Sequence, residues 1–273
     1  MALKLYNKTL LSTPDRDQNV YWADFEYSNF SEGKRKFIFL GVLNGKGPRK
    51  GELCSIKTFK DRIGDYEDWR KEIMKCKQAN DLAQQFNLCS ADERKIFFEV
   101  PIIAEMDMLS HCTQLIQKVT RKKIFVLEEC IAIEPFLKGS FQKFSSTYSS
   151  YYTCNGGGDG ADSTAPTANY NGTGYGKHTK GKSTNTTNTY ANNLAFVEAF
   201  SHYTYWYTKG RMVVDDLQGV IQDTNHFRLT DPSIHSVKLS YGPTDSGQNG
   251  ITAFLSKHRC NKICANWFLN QQH

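Results

Sequence analysis

The heptapeptide HRCNKIC, His258 to Cys264, constrains this chain more than any other stretch. A histidine with cysteines two and six residues further on has metal-site spacing, and supplies three of the four ligands a tetrahedral zinc takes. Read as part of one terminal helix over 251–269, it puts Cys260 and Cys264 on the same face. The fourth ligand must then come from elsewhere, and His111, His178, His202, His226, His235 and Cys154 are the candidates. His202 is favoured, because AFSHYTYW around it is aromatic-rich and expected to be buried, where an imidazole needs a partner. The competing reading is that Cys260 and Cys264 are ordinary buried thiols.

A chain of 273 residues is too long for a zinc-stapled miniprotein and has room for one large domain or two lobes. The six other cysteines are spread widely, as free buried thiols are, which points to a reducing compartment instead of a disulfide framework. There is no apolar run of membrane-spanning length and no apolar leader core at the start, so a soluble, cytoplasmic protein is expected. The net charge of +6 comes from scattered basic runs, which suit a solvated exterior with some anion binding. Nucleic acid is disfavoured as a partner, since SKHRCNKICANW offers only Lys257, Arg259 and Lys262 beside the metal motif.

The first half reads as strands (NVYWADFEY, KFIFLGVL, ELCSIKTF) followed by a long helix over 65–87, with acids in its first turn. The last two of these strands form a hairpin. Its turn, NGKGPRKG, is no phosphate loop, because Gly41 to Lys46 is one residue short of that spacing and Gly47 stands where Ser or Thr is needed. Strand alternation puts Lys57 on one face with Leu53, Ser55 and Phe59, either at an exposed edge or held by a specific partner. KIFFEVPII and KKIFVLEECIAIEPFL read as further strands, with a helix over 104–120 between them. From Cys154 to Asn193 Gly, Thr, Asn and Ser dominate with no apolar period, so a disordered insertion rich in Ser and Thr, a candidate for autophosphorylation, is expected.

Beyond it, 192–208 reads as a helix running into a strand or turn, GRMVVDDLQGV as a buried strand ending in acids, and LTDPSI as a turn into a short helix. Asp216 and Gln218 fall on one side of that strand and offer hard oxygen ligands suited to magnesium; Thr230 and Asp231 follow before a proline turn. Such a set can clamp a metal and accept a proton. Equally, Asp231 could cap a helix and Asp216 could be a satisfied turn acid; spacing does not separate these readings.

Taken in order, AFSHYTYWYTKGRMVVDDLQGV, LTDPSIH, GPTDSG and FLSKHRCNKIC resemble the alpha-kinase family of atypical serine/threonine protein kinases. Toward the N-terminus NFSEGKRKF is similar to its phosphate-loop strand, CSIKTF to its lysine strand and IAIEPFLKGSFQKF to its hinge. The resemblance implies an α+β, two-lobed protein-kinase-like fold: a strand-rich N-lobe at 1–133, a hinge region at 134–153, the insertion at 154–193 and a zinc-containing C-lobe at 194–273. It implies a structural zinc on His202, His258, Cys260 and Cys264. Lys57 would meet the ATP phosphates, paired with Asp68 or Glu72 on the long helix. Gly33 and Lys36 would belong to the phosphate loop, and Glu134 would meet adenine.

By the same resemblance Asp216 would be the catalytic base. Gln218 and Asp231 would hold magnesium beside Thr230, and Thr244 and Asp245 would touch the acceptor. The implied reaction moves the γ-phosphate of ATP to Thr or Ser of a protein. One departure is a stretch between Gly219 and Thr230 longer than the family's usual one, the only feature favouring a degenerate kinase fold that serves as a scaffold. Against that alternative, Lys57, Glu134, Asp216, Gln218 and Asp231 all stand in order.

Overall fold

The computed structural model describes residues 6–144 and 184–269, so most of the expected disordered insertion, and the autophosphorylation expected there, lies outside the described residues. The N-terminal half is built on strands β1 (Asn7–Thr9), β2 (Tyr21–Phe25), β3 (Ser31–Glu32), β4 (Lys36–Gly45) and β5 (Leu53–Phe59). Helix α1 (Tyr66–Cys89) follows, then β6 (Lys95–Phe98), β7 (Ile102–Met108), α2 (His111–Thr120), β8 (Cys130–Pro135) and β9 (Gln142–Phe144). The helix expected over 104–120 is therefore half strand. Ile102, Ile103 and Ala104 pair with β8, and Ser110 stops the strand by capping α2 through Thr113 N.

Antiparallel pairing runs β4–β5–β8–β7–β1–β2, and β2 pairs back onto β4, so six strands close into a barrel with β3 attached to one end of β4. Closure leaves the barrel no free edge and fills its inside with alternate side chains. Tyr21, Phe25, Phe39, Leu43, Cys54, Ile56, Ile131 and Ile133 make that core, each fully buried. Since Cys54 and Ile56 point inward, Ser55, Lys57 and Phe59 point outward. The edge reading of Lys57 fails, because β5 lies between β4 and β8.

The C-terminal part comprises α3 (Thr184–Tyr207), β10 (Met212–Asp215), β11 (Leu217–Gln222), β12 (His226–Leu229) and β13 (Ser233–Ser236). A short 3-10 turn (Gly242–Thr244), α4 (Gly247–Lys257) and α5 (Lys262–Leu269) complete it. Strand β6 runs parallel to β12 and joins a sheet of order β6-β12-β11-β9, so it leaves the N-terminal barrel to which position alone would assign it. That pairing joins segments far apart in the chain, which no local pattern encodes. Ala79, Leu82, Ala83 and Phe86 from the second half of α1 pack into the same core with Phe196, Phe200, Tyr203 and Phe227. The first half of α1 covers the barrel through Trp69, whose ring lies 4.4 Å from that of Phe59 and whose Nε1 donates to the Cys130 carbonyl at 2.7 Å. One long helix is thus shared by two cores.

Four further expectations are corrected. The insertion ends at α3, which begins at Thr184 and not near Asn192. Tyr190 donates to the Lys143 carbonyl, and Arg94 bonds the Asn192 carbonyl and the Asn193 side chain, contacts that tie residues 190–193 of poor intrinsic propensity into the helix. LTDPSI leads into strand β13, held by antiparallel pairing to β10. The terminal helix breaks at His258–Asn261, so Cys260 precedes α5 and does not share a helical face with Cys264. GRMVVDDLQGV is two strands of different sheets, with Asp216 between them at φ 55°. Strand alternation therefore does not carry across from Asp216 to Gln218.

Candidate active site and metal centre

The outer face of β4, β5 and β8 carries three polar side chains in one patch. Register puts Lys57 opposite Ile38 and Ala132, with Lys36 and Glu134 each two residues along the neighbouring strands. Long side chains on such diagonal positions reach one another. Lys57 Nζ donates to Glu134 Oε2 at 2.7 Å, with both side chains 3% exposed. It also donates to Thr230 Oγ1 at 2.9 Å and to Asp231 Oδ2 at 2.7 Å, while the Thr230 hydroxyl donates to Glu134 Oε2 at 2.6 Å. A barrel strand is thus tied to the chain leaving β12. Burial alone would lower the Lys57 pKa, but the Asp231 and Glu134 carboxylates outweigh it and hold the ammonium charged.

Lys36 makes the second bridge, donating to Asp231 Oδ1 at 3.0 Å and to Glu72 Oε2 on α1 at 2.8 Å. It also lies 5.4 Å over the Trp69 ring. The Asp231 carboxyl, despite its partial burial, is held far below the ordinary carboxylate range by Lys36 and Lys57. Of the two acids expected to pair with Lys57, neither does. Asp68 closes the α1 capping box with Asp65 and pairs with Arg62, while Glu72 takes Lys36 and, at 3.0 Å, Lys75. The Glu134 carboxylate, expected at adenine, orients Lys57 in this structure. Sequence spacing had no means of seeing Lys75 or Lys143 as members of the site.

Gln218 lies in β11, where its carbonyl accepts from Thr230 N at 3.0 Å. The stretch from Gly219 to Thr230 is a hairpin of β11 and β12 that returns the chain to Lys57. Gly219 permits this close pairing, since a Cβ there would lie 2.0 Å from the Arg228 carbonyl oxygen. Asp216 takes the left-handed conformation, leaving its half-exposed carboxylate 2.6 Å from Lys143 Nζ. Gly33 turns the chain between β3 and β4, its N–H donating to the Lys36 carbonyl at 2.9 Å. Asp245, expected at the acceptor, instead shapes its own loop: its carboxylate accepts from Ser236 N, Ser236 Oγ, Tyr241 N and Gly247 N.

His202, His258, Cys260 and Cys264 come together on α3, the α4–α5 connection and α5, with one ligand atom of each within 4.8 Å of the others. Cys260 Sγ lies 3.6 Å from His202 Nδ1, and Cys264 Sγ lies 3.5 Å from His258 Nε2. Zinc–sulfur and zinc–nitrogen bonds of about 2.3 and 2.0 Å, meeting at the tetrahedral angle, separate N from S by roughly 3.5 Å. The donors therefore fit a four-coordinate zinc. Burial pushes His258 down to about 4, helped by His202, and lowers His202 too, so both imidazoles are neutral with a lone pair to give. Burial raises Cys264 to about 11; a bound cation would be needed to make it a thiolate at neutral pH.

The fold is that of alpha-kinase domains. Over 98% of this chain and 92% of the other, it aligns with an alpha kinase from Entamoeba histolytica at TM-score 0.63 and 19% identity. The inactive alpha-kinase domain of myosin heavy chain kinase A in complex with ATP aligns at TM-score 0.61 and 19% identity, over 95% of this chain and 96% of that one. Residues 31–264 match the alpha-kinase family model, and the chain belongs to that family of ATP-dependent protein kinases. Among curated relatives, the alpha-protein kinase vwkA of Dictyostelium discoideum is 25% identical over 86% of this chain and 29% of its own length. The mouse transient receptor potential cation channel subfamily M member 6 is 44% identical over 24% of this chain and 3% of its own length. The chain thus spans less than a third of these relatives. Among the described residues no helix is long and apolar enough to cross a membrane.

Proposed function

We propose that this chain transfers the γ-phosphate of ATP to Thr or Ser of a protein substrate. The observation that carries the reading is the convergence of Lys57 and Lys36 of the barrel with Asp231 of the C-terminal part, 174 and 195 residues away in sequence. Two charged lysines, one buried and one largely so, beside one carboxylate suit a triphosphate and its counter-ion. Lys57 and Lys36 bind the phosphates, with Gly33 in the turn that precedes Lys36. Gln218 and Asp231 would hold magnesium, whose charge stabilises the transferring phosphoryl oxygens. Asp231 offers the hard oxygens this cation takes and remains 27% exposed.

Asp216 orients the acceptor hydroxyl and takes its proton. As the acceptor oxygen bonds to the γ-phosphorus, the bond from that phosphorus to the β,γ-bridging oxygen breaks and ADP leaves. Its left-handed backbone and half-exposed carboxylate leave Asp216 open to an incoming chain. The hairpin that fills the stretch from Gly219 to Thr230 returns Asp231 to Lys57, which weakens the scaffold reading. A structural zinc on His202, His258, Cys260 and Cys264 pins α3 to the α4–α5 connection. Its thiolates suit a reducing compartment such as the cytoplasm.

The test is transfer from labelled ATP with magnesium to a basic threonine-containing protein, beside Asp216→Asn. Transfer by the wild type and its loss in the variant is the expected result. A folded, metal-loaded wild type that neither transfers phosphate nor binds ATP would overturn the reading in favour of a scaffold.

A further inference from the structure

Helix α1 packs against both the barrel and the C-terminal core. Lys71, Lys75 and Gln78 recur at helical spacing on one stripe, and the segment 241–244 rests on them. Tyr241 donates its hydroxyl to Gln78 Oε1 at 3.4 Å, and Lys75 Nζ donates to Thr244 Oγ1 at 3.3 Å. Gly242 lies against the Lys71 side chain, where a Cβ would come 3.7 Å from Cδ. Lys75 is only 3% exposed, an unusual place for an ammonium, and its other partner is Glu72 at 3.0 Å. Glu72 in turn holds Lys36, and Lys36 reaches Asp231. Contacts therefore run unbroken from Thr244 through Lys75, Glu72 and Lys36 to Asp231.

The near end of this run is stiff. The four hydrogen bonds of the Asp245 carboxylate brace the loop from Tyr241 to Gly247 against β13, so a shift at Thr244 is felt at Ser246. Ser246 lines a cavity of about 360 Å³ with Asp215, Leu217, His235 and Asn249. Asp215 and Leu217 flank Asp216 in the chain, so the loop borders the approach to the proposed base.

We propose that Lys75 is a positioning residue that couples nucleotide binding at Lys36 to the setting of the 241–247 loop beside Asp216; this rests on the kinase reading above. Glu72 divides one negative charge between Lys36 and Lys75. When a phosphate draws Lys36 away, the whole carboxylate falls to Lys75. The stronger Glu72–Lys75 pair then loosens the long bond from Lys75 to Thr244, and the loop, held rigid by Asp245, shifts as one piece beside Asp216. A buried ion pair responds in this way because neither member has water to turn to.

The experiment measures binding of a basic threonine-containing peptide, by fluorescence anisotropy, with and without magnesium and a non-hydrolysable ATP analogue. Wild-type protein is expected to bind the peptide about fivefold or more tightly when the analogue is present, the lower end of ordinary coupling between sites. In Lys75→Gln and in Thr244→Val that ratio should fall to about one while the analogue still binds; Lys75→Arg should retain it. A residue that merely supported the fold would lower the melting temperature and leave the ratio unchanged. An absent ratio in the wild type, or an intact one in both variants, would overturn the coupling and leave the kinase reading standing. Failure of folded wild-type protein to bind the analogue would remove both.

Discussion

Replacing Lys57 by methionine should cost this protein its stability as well as its activity. Lys57 and Glu134 are each 3% exposed, and among the described residues the lysine is the one cation paired with the Glu134 carboxylate. Its removal leaves that carboxylate, among the described residues, with the Thr230 hydroxyl as its side-chain donor, whereas Asp231 keeps Lys36. Breaking a buried pair from one side costs about 3–5 kcal/mol, because an uncompensated charge stays inside. At about 2–4 °C per kcal/mol for a domain near this size, the midpoint should fall by roughly 10 °C. Circular dichroism melts of wild type, Lys57→Met and the double variant Lys57→Met, Glu134→Leu would measure it. The double variant should recover most of the loss, since both charges have gone. A single variant that melts with the wild type would refute the view that Glu134 depends on Lys57. By contrast, Asp216→Asn should stay within about 1 kcal/mol of wild type, since its pair with Lys143 is exposed and asparagine tolerates the left-handed backbone. Asp216→Asn is therefore the cleaner test of the proposed base.

Stripping metal with a chelator, or Cys264→Ser, should unfold the C-terminal core. Structural zinc contributes apparent binding free energy of about 10–16 kcal/mol, and much of it is folding free energy; unchanged metal content and melting would count against the site. Acid should destabilise the protein through Asp231 and Glu72, both held below their ordinary pKa by lysines. The folded form binds these protons less tightly than the unfolded chain. Their contribution is complete above unfolded values of about 4 and is lost as pH falls below them. Urea midpoints from pH 6 down to about 3 should show this decline, and Asp231→Asn should flatten it; an equal slope in both proteins would contradict the pairing.

What the sequence determined by itself was chemistry with local spacing. HRCNKIC pointed to a metal site because ligand spacing is a local property, and the aromatic run around His202 put it first among the candidate partners; the four side chains do converge. Alternation put Lys57, Ser55 and Phe59 on one face, and the barrel kept that face outward. The capping acids and apolar stripe of α1 placed that helix to within two residues of its bounds at Tyr66 and Cys89. Tertiary structure decided which acid meets which lysine. Helix and strand periods fix the face on which Glu72 and Lys36 lie, but the distance between faces depends on how α1 crosses the barrel, and the packing of Trp69 against Phe59 sets that. It also decided the parallel β6–β12 pairing and the hairpin that carries Asp231 back to Lys57. Such contacts join residues more than a hundred positions apart, and the free energy that selects them comes from burying a shared core, which no stretch of the chain holds alone.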